Sequence, residues 1–224
     1  MNKKLSLLAI LSLVFTMFSC QDDHSNVAIK YHEDGRAKPS VALTSIIDST
    51  NFEGDWSLSE EFTELLKNKM AKSQKLYIPH IHQSGSHFHF GNNPFASDIS
   101  WMRDLEVNQD FVVFMELINH EKKIEANDSS VPLSNIPAED ACSKLNIALR
   151  LKIVDLRENN PKVVLQEVIK DQFEIPNTLT AQENEKAAFG TVQYRRSYTA
   201  QAHDKLLDTV ADRINEYVDL AKIR

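Results

Sequence analysis

Four of the eight histidines lie within ten residues, in the segment HIHQSGSHFH at positions 80–89. Side chains of an extended chain alternate between two faces, so each His-x-His pair directs both imidazoles to one side. A turn between the pairs, with Gly85 supplying a positive φ, would bring the four rings to one ion. Neutral imidazole is a good ligand for Zn or Cu. The spacing therefore predicts a Zn or Cu site formed by His80, His82, His87 and His89.

Two other interpretations of this cluster stay open. Pro79 ends the preceding strand, so the histidines also fit a polar surface loop beneath which Ile81, Phe88 and Phe90 pack. The segment offers no neighbouring carboxylate to orient an imidazole. Because imidazoles titrate near neutrality, a pH-sensing role is a third interpretation.

Two aromatic residues precede the first helical segment. Trp56 beside Phe52, if exposed, has the character of a binding hot spot for a protein partner. The same two rings would otherwise be core or rim anchors. The acidic residues that follow, Glu60 and Glu61, are explained as first-turn charges that favour the helix dipole.

Composition excludes several classes of function. The chain carries 25 basic and 32 acidic residues, a net charge of -7, whereas a nucleic-acid binder needs a basic face. Arg195 and Arg196, between Tyr194 and Tyr198, could suggest a nucleic-acid or lipid patch, but in an acidic protein two arginines are better explained as part of a solvated loop. The five glycines are too scattered for a GxGxxG or P-loop cradle, and the sequence contains no HExxH, GxSxG, SxxK or CxxC motif. We therefore expect a protein that is not an enzyme.

The first twenty residues, MNKKLSLLAILSLVFTMFSC, have the organisation of a secretory leader. The apolar stretch behind Lys3 and Lys4 is shorter than the roughly 20 residues of a membrane-spanning helix. Its ending, MFSC, resembles the lipobox of bacterial lipoproteins. That resemblance implies a signal peptide over residues 1–19 and attachment of lipid to Cys20, with Gln21 favouring the outer membrane and a domain that faces the periplasm. Residues 20–39 are predicted to be a lipidated tether, and residues 40–224 a single domain.

Hydrophobic periodicity predicts the order β-α-β-(α)-β-β-β-α. The predicted strands are 40–48, 75–81, 110–126, 145–156 and 162–175. The predicted helices are one over 57–73 with Ser57 or Ser59 as N-cap, a short one over 98–108, and a long amphipathic one over 198–223 whose apolar stripe ends in Tyr217 and Leu220. This order indicates an α+β fold, a mixed and mostly antiparallel sheet of about four or five strands with helices on one face and a long carboxy-terminal helix.

Several of these segments carry a family likeness. SVALTSIIDSTN followed by WSLSEEFTELLKNKMAKSQKLYI resembles the opening of the periplasmic α/β domains of the CsgG, LpoB and TolB amino-terminal group. DFVVFMEL and the hairpin LNIALRLKIVDL…KVVLQEV resemble its later strands, although Met115 or Glu116 replaces that group's glycine. The whole chain is also similar to lipoproteins of chlamydia-like bacteria.

The resemblance implies a function without chemistry. Members of this group include lipoprotein activators of peptidoglycan synthases and subunits of secretion channels, which act through protein contacts. We therefore expect an acylated protein that binds the bilayer through Cys20 and binds an envelope protein, a cell-wall synthase or a secretion assembly. The alternative is a metal-binding or metal-delivering lipoprotein that uses the histidine cluster.

Calorimetric titration separates these two hypotheses. Zn²⁺ and Cu²⁺ are titrated into residues 21–224 and into a variant with all four clustered histidines changed to Ala. The metal hypothesis predicts micromolar or tighter binding with one ion per chain, lost in the variant. Equal heats for the two proteins would contradict it.

Overall fold

A computed structural model describes residues 30–79, 93–104, 108–125, 142–158, 160–176 and 184–223. A five-stranded sheet, mixed and mostly antiparallel, carries two α-helices on one face. Its strands are β1 (Val41–Leu43), β2 (Ile47–Asp48), β3 (Phe111–Glu125), β4 (Cys142–Asp155) and β5 (Lys162–Pro176). The helices are α1 (Leu58–Ser73) and α2 (Tyr198–Lys222). The predicted α+β class is confirmed.

The three long strands form the body of the sheet. β3, β4 and β5 follow one another as an antiparallel meander, and β1 and β2 run parallel to β3 along its other edge. Alternate residues of β4, from Leu145 to Ile153, are buried beneath the helices, as the period of two in the sequence requires. Burial on this face therefore fixes the register of all three strands.

The segment predicted as one strand over residues 40–48 is instead two short strands. Between them the chain leaves β3, and side chains of α1 satisfy the freed backbone: the N–H of Ile46 donates to Oγ1 of Thr63 (2.9 Å), and its carbonyl accepts from the Ser59 hydroxyl. Of the strand predicted over residues 75–81, residues 75–79 are described, and they form an isolated parallel bridge from Tyr77 to Ser40. The edge of the sheet is thus shorter than its apolar sequence suggests.

Both helices begin at a serine cap. The hydroxyl of Ser57 accepts from the N–H of Glu60, and that of Ser197 accepts from the N–H of Ala200. Along α2 the buried stripe turns away from the predicted one near its end, where Val218 is buried and Leu220 is half exposed.

The opposite face of the sheet is partly covered. Residues 93–104, which include a 3-10 helix (Ser100–Asp104) where a short α-helix was predicted, pack there on Val112 and Phe114 of β3. Lys152 is buried beneath this segment and donates to the carbonyl of Ala96 (2.8 Å), and its burial lowers its pKa. Neither α1 nor α2 has the length and apolarity needed to cross a membrane, and no other helix among the described residues has them.

Candidate functional site

The predicted site residues divide between described and undescribed parts of the chain. The lipidation residue Cys20, and the predicted metal ligands His80, His82, His87 and His89, lie outside the described residues. Phe52 and Trp56 are described, and both are half-buried. They lie over a buried polar cluster that the sequence motifs do not reveal.

The centre of this cluster is the carboxylate of Glu61, in the first turn of α1. Its side chain has no exposed surface and accepts three hydrogen bonds. His203 Nδ1 of α2 approaches Oε1 to 2.7 Å, the Tyr194 hydroxyl donates to the same oxygen, and Trp56 Nε1 donates to Oε2 at 2.8 Å. Three segments of the chain therefore meet on one carboxylate.

His203 extends the cluster to the sheet. The side chain of His203 is fully buried, and its Nε2 lies 2.8 Å from Nε2 of His120 on β3. Since a carboxylate is an acceptor, Nδ1 of His203 carries the proton that faces Glu61. One continuous hydrogen-bonded path thus runs from β3 through α2 to α1.

A β-bulge places His120 on the helix-covered face. Leu117 pairs with Leu149 and Asn119 pairs with Ala148, so Ile118 is an extra residue in β3. Beyond it, His120 lies opposite Ile147, whose side chain is buried under the helices. Without the extra residue the alternation of the strand would turn His120 to the other face.

Two aromatic rings close the cluster from outside. Phe52 packs edge-on against the His120 ring (centroids 5.2 Å apart) and against Trp56 (5.3 Å), and Trp56 in turn packs against Tyr194 (5.2 Å). The Phe52 ring also lies over Gly54, where an added Cβ would be 2.2 Å from two ring carbons. Glycine is required at position 54 for this position of the ring.

Burial and hydrogen bonding set the charges of the cluster. Burial alone would raise the pKa of Glu61, but the hydrogen bond and charge of His203, with the hydrogen bonds from Tyr194 and Trp56, outweigh it and lower that pKa. Burial, followed by the neighbouring His203, lowers the pKa of His120 to about 4. Burial and the Glu61 carboxylate raise the pKa of Tyr194. At neutral pH, Glu61 is therefore ionised, His120 neutral and Tyr194 protonated.

This cluster can hold a proton and can fix the positions of the aromatic rings packed on it. Each polar atom of Glu61 and His203 already has a partner inside the cluster. Across the described ranges, no group of three or more histidine, cysteine, aspartate or glutamate side chains could hold a metal ion. The chemistry that the geometry supports is positional, because the cluster fastens the segment that carries Phe52 and Trp56.

The structure adds to two sequence-based interpretations. Glu60 and Glu61 lie in the first turn of α1, as expected, but Glu61 is also a buried hydrogen-bond acceptor, whereas Glu60 is exposed. Tyr194 is buried, although Arg195 and Arg196 beside it are exposed. The available signal was helical spacing: Glu61 follows Leu58 by three positions on the apolar face of α1.

His203 shows the same signal on the other helix. It precedes Leu206 by three positions and Leu207 by four, and both leucines are buried. A polar residue on each of two apolar helix faces that pack together indicates a buried pair.

Sequence comparison assigns the chain to a family. Residues 27–222 match the profile described as "Family of unknown function (DUF7499)". The chain belongs to the DUF7499 family. No curated protein matches it significantly.

A solved structure shares the fold of this DUF7499 chain, and others resemble it more weakly. The hypothetical protein CT253 from Chlamydia trachomatis is 18% identical over 81% of this chain and 98% of its own, with a TM-score of 0.59. A minor lipoprotein from Acinetobacter baumannii (8% identity, 79% and 92% covered, TM-score 0.40) and the lipoprotein GNA1162 from Neisseria meningitidis (9%, 80% and 99%, 0.37) are more distant. The expected likeness to a chlamydial protein is thus found at the level of the fold.

The hydrogen bond from Tyr194 can be tested by removing one atom. We expect Tyr194→Phe to lower the free energy of unfolding by about 2 kcal/mol, because hydrogen bonds to a buried charge contribute about 1.5–3 kcal/mol. Tyr198→Phe, at an exposed tyrosine four residues away, should change it by less than about 0.5 kcal/mol. Urea unfolding monitored by circular dichroism measures both, and equal small effects would contradict the assigned role.

Proposed function

We propose that this protein is a lipid-anchored, non-catalytic component of the bacterial envelope that works by binding another envelope protein. The anchor is the acylated Cys20 of the lipobox-like sequence, with the outer membrane as its location. The likeness to the CsgG, LpoB and TolB amino-terminal group supports a partner that is a cell-wall synthase or a secretion assembly.

The observation that carries the proposal is the pair of half-buried aromatic rings that are held in place by the cluster beneath them. Phe52 and Trp56 contact each other, and each contacts a ring of the buried cluster. Trp56 is further fixed by its hydrogen bond to Glu61. Rings that are already ordered lose little conformational entropy when a partner binds, and Trp is the residue type most enriched in hot spots.

Charge around the rings indicates the chemistry of the partner. Glu53, Asp55 and Glu60 are all exposed next to the two rings in sequence. Once the leader with Lys3 and Lys4 is removed, 23 basic residues face 32 acidic ones in the rest of the chain. The partner surface is therefore expected to present Arg or Lys around an apolar centre, since complementary charges speed encounter and disfavour wrong partners.

Site-specific photo-crosslinking in the native cells tests this surface. A benzophenone amino acid replaces Asn51, which is exposed beside Phe52, and a second protein carries it at Asp212, which is exposed on α2. We expect one discrete adduct with an envelope protein from position 51 and none from position 212. Reversing charge with Glu53→Lys and Asp55→Lys should lower the adduct yield at least tenfold, whereas Asp212→Lys and Asp219→Lys should leave it unchanged.

The anchor has its own test. Cys20→Ser should move the protein from the membrane fraction to the soluble fraction. A Cys20→Ser protein that stays with the membranes would contradict lipid anchoring. The absence of a discrete adduct at position 51, or an adduct insensitive to the two charge reversals, would contradict partner binding at this surface.

A further inference from the structure

The segment 51–56 is attached to the domain mainly through the buried cluster. Before it, β2 and Ser49 are tied to β3, where Ser49 donates to the Leu117 carbonyl (3.0 Å). Within the part of the chain that the structure describes, one hydrogen bond joins residues 51–56 to another element, the bond from Trp56 to Glu61. The remaining attachment is packing: Trp56 packs on Tyr194, and Phe52 packs on His120 and on the hydrophobic core. Loosening the cluster would therefore free this segment while the sheet stays paired.

The pair of histidines tolerates one proton between its facing nitrogens but not two. The Nε2 atoms of His120 and His203 are 2.8 Å apart, a hydrogen-bond distance at which one nitrogen must offer a lone pair. The positive charge of His203 lies beside Glu61 and lowers the pKa of His120, so His203 Nε2 donates and His120 Nε2 offers the lone pair. A proton on His120 would make both rings imidazolium, place hydrogen on both facing nitrogens and bring two positive charges together. The closed contact is incompatible with a second proton on the pair.

Groups from every neighbouring element influence the proton on His120. Burial and His203 of α2 disfavour it, whereas Glu61 of α1, the backbone of His120 itself and Asp48 of β2 favour it. Burial is the largest of these effects, and the pKa of His120 falls to about 4. In an opened segment, the ring would return to an ordinary pKa near 6.5.

We propose that the cluster is an acid-released latch: a second proton on the His120–His203 pair separates the two rings, frees the segment that carries Phe52 and Trp56, and so releases the partner that this segment binds. The release of the partner rests on the proposed function. The opening of segment 51–56 does not, because it is a property of the domain alone.

The direction of the pH effect follows from linkage. The folded pKa of His120 lies below the ordinary value, so closure releases a proton and acid favours opening. The stability of the closed form relative to the open form is greatest above about pH 6.5 and decreases progressively down to about pH 4. Between pH 7 and pH 4.5, the equilibrium constant for opening should rise roughly 50-fold.

Quenching of Trp56 fluorescence by acrylamide, a neutral quencher, measures the opening. The protein used is the full mature chain with Trp101→Phe, which leaves Trp56 as its one tryptophan. We expect the quenching constant to rise at least threefold from pH 7 to pH 4.5, while far-ultraviolet circular dichroism stays native. No rise, or a rise that coincides with loss of the circular dichroism signal, would overturn the latch.

Two variants test whether the change in quenching comes from the histidine pair. His120→Gln retains an amide that can bond to His203 Nε2 but cannot take a proton, so its quenching constant should stay at the neutral value at pH 4.5. Gly54→Ala forces the Phe52 ring away from its place and should give the high constant already at pH 7. A His120→Gln protein that responds to acid like its parent would contradict the role of the histidine pair.

The same proteins separate the latch from the proposed function. Adduct yield from position 51 is compared in cells held at pH 7 and pH 5, in the parent and in His120→Gln. We expect acid to lower the yield at least fivefold in the parent and not in the variant. A quenching response without an adduct at either pH would refute the partner and leave the latch intact, whereas an adduct without a quenching response would refute the latch.

Discussion

The burial of one ionised carboxylate constrains this domain more than any other interaction. Glu61 has no exposed side-chain surface, and a buried charge without partners costs several kcal/mol. Its three donors come from the segment before α1, from the 3-10 helix (Tyr194–Arg196) and from α2. These pieces, far apart in the chain, must therefore assemble together, since a missing donor leaves the charge uncompensated.

Other local features make sense as consequences of that constraint. The bulge at Ile118 turns His120 toward the helices, so that β3 joins the path that begins at Glu61. Gly54 lets the Phe52 ring fold back and cover His120. A bulge usually interrupts the hydrogen-bond ladder of a sheet, and a glycine usually weakens local order. In this domain both features help the aromatic rings to cover the buried polar cluster. The surface that we propose for a partner is thus the outer layer of the buried cluster.

Much of the fold follows from the sequence, because its period is strong. The alternation of apolar residues from Leu145 to Ile153 fits only a strand, and the apolar face of α2 fits only a helix. The long strands and both helices lie where these patterns predict them. The edge strand is interrupted because α1 supplies Ser59 and Thr63 to its backbone, a tertiary effect that no local pattern contains. The buried cluster was not predicted because it too depends on tertiary contacts. Its members are spread from residue 52 to residue 203, and its bulge reverses the face that simple alternation assigns to His120.

The coupling energy between Glu61 and His203 tests this account most directly. A double-mutant cycle with Glu61→Gln, His203→Gln and both changes together measures it from the free energies of unfolding at pH 7. The comparison cycle uses Lys162 and Glu158, an exposed ion pair at 2.5 Å, which should couple by less than about 1 kcal/mol. The account predicts a favourable coupling of at least about 2 kcal/mol for the buried pair. A coupling no larger than that of the surface pair would contradict it.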